Sequence, residues 1–185
     1  MKYGFIGCGN MGGAIARALS KTTNDVMITD RSGKAAALAQ ELSCTYADSV
    51  AVATSCERIF LAVKPQMMAD ALKPLRAYFR EYKPLLITMA AGLTIEKIQE
   101  LAGCELPVIR IMPNTPVLVG KGMTLYCCND LVDESVLEDF LEDMAFTGRM
   151  DEIPEHLIDS AGVVSGCGPA YMYMFAEALA DGAVA

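Results

Sequence analysis

Tyr3-Gly4-Phe5-Ile6-Gly7-Cys8-Gly9-Asn10-Met11-Gly12 is a short apolar run that breaks into a G-x-G-x-x-G turn, and Ala14-Ile15-Ala16-Arg17-Ala18-Leu19 carries on from it with a helical pattern. Strand, glycines and helix in that order are what a dinucleotide pyrophosphate requires. Gly7 allows the tight turn, Gly9 lets backbone approach the phosphates, and Gly12 lets the helix pack closely on the strand. The helix start contributes unpaired N–H groups and a partial positive charge for the anion. Glycine-rich turns are common, so the flanks on both sides decide the reading.

A second apolar run, Val26-Met27-Ile28-Thr29, ends in Asp30, eighteen residues after Gly12. A carboxylate at that strand tip can accept hydrogen bonds from an adenosine ribose. Its neighbours leave the cofactor open. Arg31, Ser32 and Lys34 suit the 2′-phosphate of NADPH, whereas Asp30 repels it and suits NADH.

The chain of 185 residues is long enough for one good core, or for one domain and part of another. A net charge of −8 argues against nucleic acid or an anionic membrane as partner. There is no apolar stretch long enough to span a bilayer, and Met1-Lys2-Tyr3 leads straight into the first strand without a signal peptide. A cytoplasmic protein is expected. Seven cysteines, without a C-x-x-C pair, read as reduced thiols, and with His156 as the sole histidine no metal site is expected. Cys8, inside the glycine turn, reads as a small residue that fits there rather than a reactive thiol.

Apolar runs alternate with helical patterns along the chain. The spacing predicts strands at 2–6, 25–30, 44–46, 57–62, 84–89, 106–112, 123–128 and 149–152, and helices at 10–21, 32–42, 66–79, 94–102 and 133–146. Such alternation implies right-handed β-α-β units, a mostly parallel sheet and an α/β fold. Ligands in these folds bind beyond the carboxyl ends of the strands. Three segments are predicted at that edge: Ala62-Val63-Lys64-Pro65, Ala90-Ala91-Gly92 and Met112-Pro113-Asn114-Thr115-Pro116. Small residues at 90–92 admit a flat ring or its ribose, while Asn114 and Thr115 would present an amide and a hydroxyl.

Beyond residue 150 the character changes. A helix beginning at Pro154 is expected to break at Ser165-Gly166-Cys167-Gly168-Pro169, with a new helix starting at Pro169. That last helix is apolar nearly all round, only Glu177 and Asp181 being charged, and a helix of that kind must be buried.

From Tyr3 to its last residue the chain resembles the pyrroline-5-carboxylate reductases, which reduce a cyclic imine to proline with a nicotinamide cofactor. The resemblance rests on Phe5 to Gly12, on Ala62 to Pro65, on Ala90 to Gly92, on Met112 to Pro116, and on Ser165-Gly166-Cys167-Gly168-Pro169-Ala170-Tyr171. The first anchor is shared with many dehydrogenases; the last two, in this order, are specific. The resemblance implies a Rossmann-like dinucleotide-binding domain at 1–150. The first helices of an all-α dimerisation domain follow at 151–185, giving a homodimer or higher homo-oligomer. It places Gly7, Cys8, Gly9, Asn10, Met11 and Gly12 on the pyrophosphate, and Asp30, Arg31 and Ser32 on the ribose. Ala62, Val63, Lys64, Pro65, Ala90, Ala91 and Gly92 would hold the rest of NADPH or NADH. Asn114 and Thr115 would lie towards nicotinamide and substrate, and the family's substrate loop would lie beyond Ala185.

The chemistry agrees. A protonated imine is already electrophilic, whereas a ketone calls for a positioned acid, most often histidine; His156 is expected to be structural or solvated. One alternative is a β-hydroxyacid dehydrogenase-like enzyme. Those enzymes carry a lysine and an asparagine on the helix after a second glycine-rich turn, where this chain has Tyr171-Met172-Tyr173-Met174-Phe175-Ala176. The other alternative is a non-catalytic NAD(P)-binding module.

Overall fold

The computed structural model describes residues 2–31 and 33–184. Its frame is an eight-stranded sheet of order β3-β2-β1-β4-β5-β6-β7-β8. The strands are β1 (Tyr3–Ile6), β2 (Val26–Thr29), β3 (Thr45–Tyr46), β4 (Arg58–Leu61), β5 (Leu85–Thr88), β6 (Val108–Met112), β7 (Gly122–Cys128) and β8 (Gly148–Glu152). Every pair is parallel except β6 with β7. The chain starts at β1, works outwards through β2 and β3, then returns to β4 on the other side. That reversal is the switch point at which such sheets open a ligand crevice.

The helices are α1 (Asn10–Leu19), α2 (Lys34–Leu42), α3 (Ser49–Ser55), α4 (Met68–Leu72), α5 (Arg76–Tyr82), α6 (Ile95–Ala102), α7 (Glu134–Asp143) and α8 (Glu155–Val184). Because strand side chains alternate between faces, the sheet supports two apolar layers. Phe5, Ile15, Phe60, Ile109 and Phe140 belong to one; Ile59, Leu61, Phe79, Leu86 and Ile158 belong to the other. The rings of Phe5 and Phe60 stack with centroids 4.5 Å apart. At the amino edge, buried Arg58 donates to Asp139 of α7 at 2.8 Å and to the Tyr3 hydroxyl at 2.9 Å; that hydroxyl donates to Asp143 at 2.7 Å.

Four local expectations are revised. Residues 49–55, where the spacing predicts no element, form α3, capped where Asp48 accepts the Ala51 N–H at 2.8 Å. The single helix expected at 66–79 is a chain of short turns from Pro65 to Tyr82, because Pro74 has no N–H to continue the ladder. The break expected at 165–169 does not occur, since α8 runs through Pro169 without interruption. Finally, the apolar end of α8 is exposed within one chain: Tyr171, Met172, Tyr173, Met174, Phe175 and Leu179 are each at least 60% accessible. Its burial therefore calls for a surface outside this chain.

A contact from a distant part of the chain accompanies the continuity of α8. Proline at 169 leaves the carbonyl of Ser165, four residues back, without its helical donor. The side-chain amide of Asn114 supplies one, donating to Ser165 O at 3.0 Å.

Candidate cofactor site

The glycine turn connects β1 to α1 at the carboxyl edge of the sheet. Gly7 has φ +98°, and a Cβ there would lie 2.7 Å from the carbonyl oxygen of Ala62. Its N–H donates to Thr29 O at 2.9 Å, and the Ala62 N–H donates to Ile6 O, so β2, β1 and β4 meet at the turn. A Cβ on Gly12 would fall 2.7 Å from Gly7 O and 2.8 Å from the Ala62 methyl, which shows how closely α1 packs on the turn.

Gly9 differs from both. It caps α1 in an extended conformation, and a Cβ built on it meets nothing within 4 Å. The first N–H to bond back inside the helix is that of Gly13, to Gly9 O at 2.8 Å. By helix geometry, the N–H groups of Asn10, Met11 and Gly12, in the first turn after the cap, have no acceptors four residues back within the helix. Open space beside a glycine at a helix N-terminus fits a pyrophosphate.

Asp30 follows β2 and turns towards the turn, its Oδ2 accepting the Cys8 N–H at 2.8 Å. That bond ties the strand tip to the glycine loop. It also brings a carboxylate close to Cys8, whose thiol is pushed up to about 12 by burial and then by Asp30. A thiol so raised is protonated at neutral pH and a poor nucleophile.

Small-molecule and cofactor sites are clefts of roughly 300–1,000 Å³, and a cavity of about 810 Å³ opens here beside Gly7, Gly9, Asp30, Arg31, Val63 and Lys64. The structure thus brings three separate sequence predictions together on one wall. Sequence reading missed its other wall, Tyr46 to Ser49 with Met67, Asp70 and Pro74. The pairing of Asp48 with Ser49 before a Val-Ala-Val-Ala run was the helix-start signal that would have placed part of it.

The remaining predicted positions lie elsewhere. Cys8 and Gly12 are buried, Asn10 is exposed and Met11 half-buried, and Pro65 starts a short 3₁₀ turn. Ser32 lies outside the described residues. Ala90 is buried and Ala91 and Gly92 are exposed beyond β5, two strands along from β1 on the same edge. Thr115 is exposed beyond β6, but Asn114 is 8% accessible and turned inwards. Its Oδ1 accepts the Met123 N–H at 2.9 Å while its Nδ2 holds Ser165 O. The expectation that Asn114 presents its amide to the crevice is therefore corrected: the amide joins β7 to α8. His156 is exposed in the first turn of α8. Among the described residues no group of His, Cys, Asp and Glu is arranged to hold a metal, and no helix is long and apolar enough to cross a membrane.

Comparison with known proteins agrees with this geometry. Residues 2–92 match the family described as NADP oxidoreductase, coenzyme F420-dependent, and residues 155–185 match pyrroline-5-carboxylate reductase dimerisation. The chain is 38% identical to pyrroline-5-carboxylate reductase of Escherichia coli K12, covering 99% of this chain and 70% of that protein. The crystal structure of Plasmodium falciparum pyrroline carboxylate reductase with NADP bound is 34% identical, with a TM-score of 0.87, over 100% of this chain and 69% of that one. The reductase of Streptococcus pyogenes is 31% identical, with a TM-score of 0.90, over 100% and 70% of the two chains. With identity at this level sustained from the glycine turn to the end of α8, the chain belongs to the pyrroline-5-carboxylate reductase family.

Proposed function

We propose that this chain is an NAD(P)H-dependent oxidoreductase that reduces L-1-pyrroline-5-carboxylate to L-proline, the last step of proline biosynthesis. The observation that carries this is the 38% identity with the E. coli reductase across 99% of the chain. In this reading residues 1–150 are the dinucleotide-binding domain and 151–185 the start of a helical dimerisation domain. The exposed apolar end of α8 supports a homodimer or higher homo-oligomer, since a stripe of that size is rarely left in water. Seven free cysteines support a reducing, cytoplasmic setting.

Each part of the site then has a task. The open face of Gly9 and the start of α1 receive the pyrophosphate, and Asp30 with Arg31 faces the adenosine ribose. Ala62 to Pro65 and Ala90 to Gly92 line the path to the nicotinamide end, crossing from β4 to β5. When bound, the reduced nicotinamide supplies a hydride for the imine carbon. The protein's contribution is chiefly position, because a protonated imine needs no strong acid. Asn114 acts by holding α8 against the sheet beside Thr115, which faces the substrate side.

The test is loss of reduced-nicotinamide absorbance on adding pyrroline-5-carboxylate. It is run on this chain and on a chimaera carrying the part of the E. coli reductase that the match leaves uncovered. Turnover in either supports the reading. Silence in both, with the dinucleotide still bound, rejects the imine substrate and returns the hydroxyacid dehydrogenase and non-catalytic readings.

A further inference from the structure

Arg110 stands in the middle of β6, in register with Thr88 of β5 and Cys127 of β7, and is 1% accessible. A buried guanidinium without partners is strongly destabilising, so its partners are informative. Both come from α8. Asp159 Oδ1 accepts from Arg110 at 2.6 Å, and Glu155 Oε1 at 3.4 Å.

Each carboxylate also reaches the segment after β5. Asp159 Oδ1 accepts the Gly92 N–H at 3.1 Å, and Glu155 Oε1 accepts the Ile95 N–H at 2.7 Å. The two bonds differ in what they hold. Ile95 is the first residue of α6, which is also capped by Thr94, whose side chain accepts the Lys97 N–H. Gly92 lies in the turn itself, at φ +73°, where a Cβ would meet nothing within 4 Å. Inside the turn the Leu93 N–H bonds to Ala90 O at a long 3.3 Å. Ala90 is anchored in the core, its N–H donating to Thr88 Oγ1 at 3.3 Å, so the charge-assisted bond from Asp159 is what ties the exposed Gly92 to α8.

We propose that Asp159 is a positioning residue for the nicotinamide half of the dinucleotide site. Arg110 fixes the carboxylate, the carboxylate holds the Gly92 N–H, and the turn 90–92 is thereby set at the height the cofactor needs. The residue that does this belongs to the helix matched to the dimerisation family, so the placement of α8 and the shape of the site are coupled through one oxygen. The inference rests on the reading of 90–92 as the nicotinamide side.

The experiment compares two ligands. One is whichever of NADH and NADPH binds tighter; the other is the ADP-ribose fragment of the same nucleotide, which lacks the nicotinamide. Affinities are measured by titration for the wild-type chain, Asp159→Ala, Asp159→Asn and Glu155→Ala, with the thermal midpoint of each. Asp159→Ala is expected to bind the fragment as the wild type does and the dinucleotide about tenfold more weakly, the loss of one charged hydrogen bond. Asp159→Asn, whose amide oxygen can still accept from Gly92, should recover most of that loss even if the alanine variant folds poorly. Glu155→Ala should lower the thermal midpoint and leave the ratio of affinities alone. A ratio unchanged in Asp159→Ala, or shifted equally in Glu155→Ala, overturns the positioning role. A wild-type chain that binds neither ligand overturns the site reading beneath it.

Discussion

Replacing Gly9 with alanine separates the binding site from the fold. At φ −66° and ψ −165° the residue sits where any L-amino acid is at ease, and the added methyl enters open space. Folding should therefore be unharmed. The lost freedom of the unfolded glycine, about 0.4–1 kcal/mol in favour of folding, is offset by the poorer N-cap that alanine makes, so stability should change by less than about 1 kcal/mol. If a phosphate occupies that space in the complex, the methyl must overpack it, at about 1–3 kcal/mol. That corresponds to dinucleotide affinity about 5- to 150-fold weaker. Gly12→Ala is the contrast, because its methyl would press on the Gly7 carbonyl at 2.7 Å, which is backbone and cannot swing away. That variant should lose about 1–3 kcal/mol of folding stability as well as its affinity. Calorimetric titration with the reduced dinucleotide, paired with urea unfolding, reads both quantities. A Gly9→Ala protein that binds with wild-type affinity would refute the placement of the pyrophosphate. One that unfolds early would refute the open space itself.

Asp30→Ser should move the ratio of NADPH to NADH affinity towards NADPH by about tenfold, since a carboxylate facing a phosphate is removed and Arg31 stays. Steady-state KM values for both nucleotides read this, and an unchanged ratio would show that Asp30 is remote from the ribose. Asn114→Ala leaves both the Ser165 carbonyl and the Met123 N–H without partners and should cost about 1–3 kcal/mol in urea unfolding. A variant of wild-type stability would mean that α8 does not depend on this amide. The Asp159 carboxyl is held below the usual carboxylate range, first by its bond to Arg110 and then by the Gly92 N–H. Its stabilisation is therefore complete above the ordinary aspartate pKa of about 3.9 and is lost as pH falls through the lower folded value. Urea midpoints of wild type and Asp159→Asn should accordingly converge on acidification, and a gap independent of pH would contradict the ion pair.

What the sequence determined on its own is the glycine turn, the acidic strand tip and most of the alternation of strands and helices. Glycines at 7, 9 and 12 between an apolar run and a helix announce the turn, because each has a distinct steric task within a few residues. The alternation of strands and helices follows from periodicity, and the acidic strand tip at Asp30 from its spacing. The tertiary structure alone decided how distant polar groups meet. Arg110 looked like an ordinary strand residue, and nothing nearby announces that Asp159, Glu155 and Gly92 gather around it. Pro169 reads as the start of a new helix after a break, yet α8 runs through it, and Asn114, fifty-one residues before Ser165, satisfies the Ser165 carbonyl that the proline strands. The physical reason is common to both cases. Periodicity records which face of an element is apolar, but a buried charge or an unpaired carbonyl is compatible with the fold only when its partner arrives from elsewhere in the chain. That meeting is a property of the packed sheet and its helix.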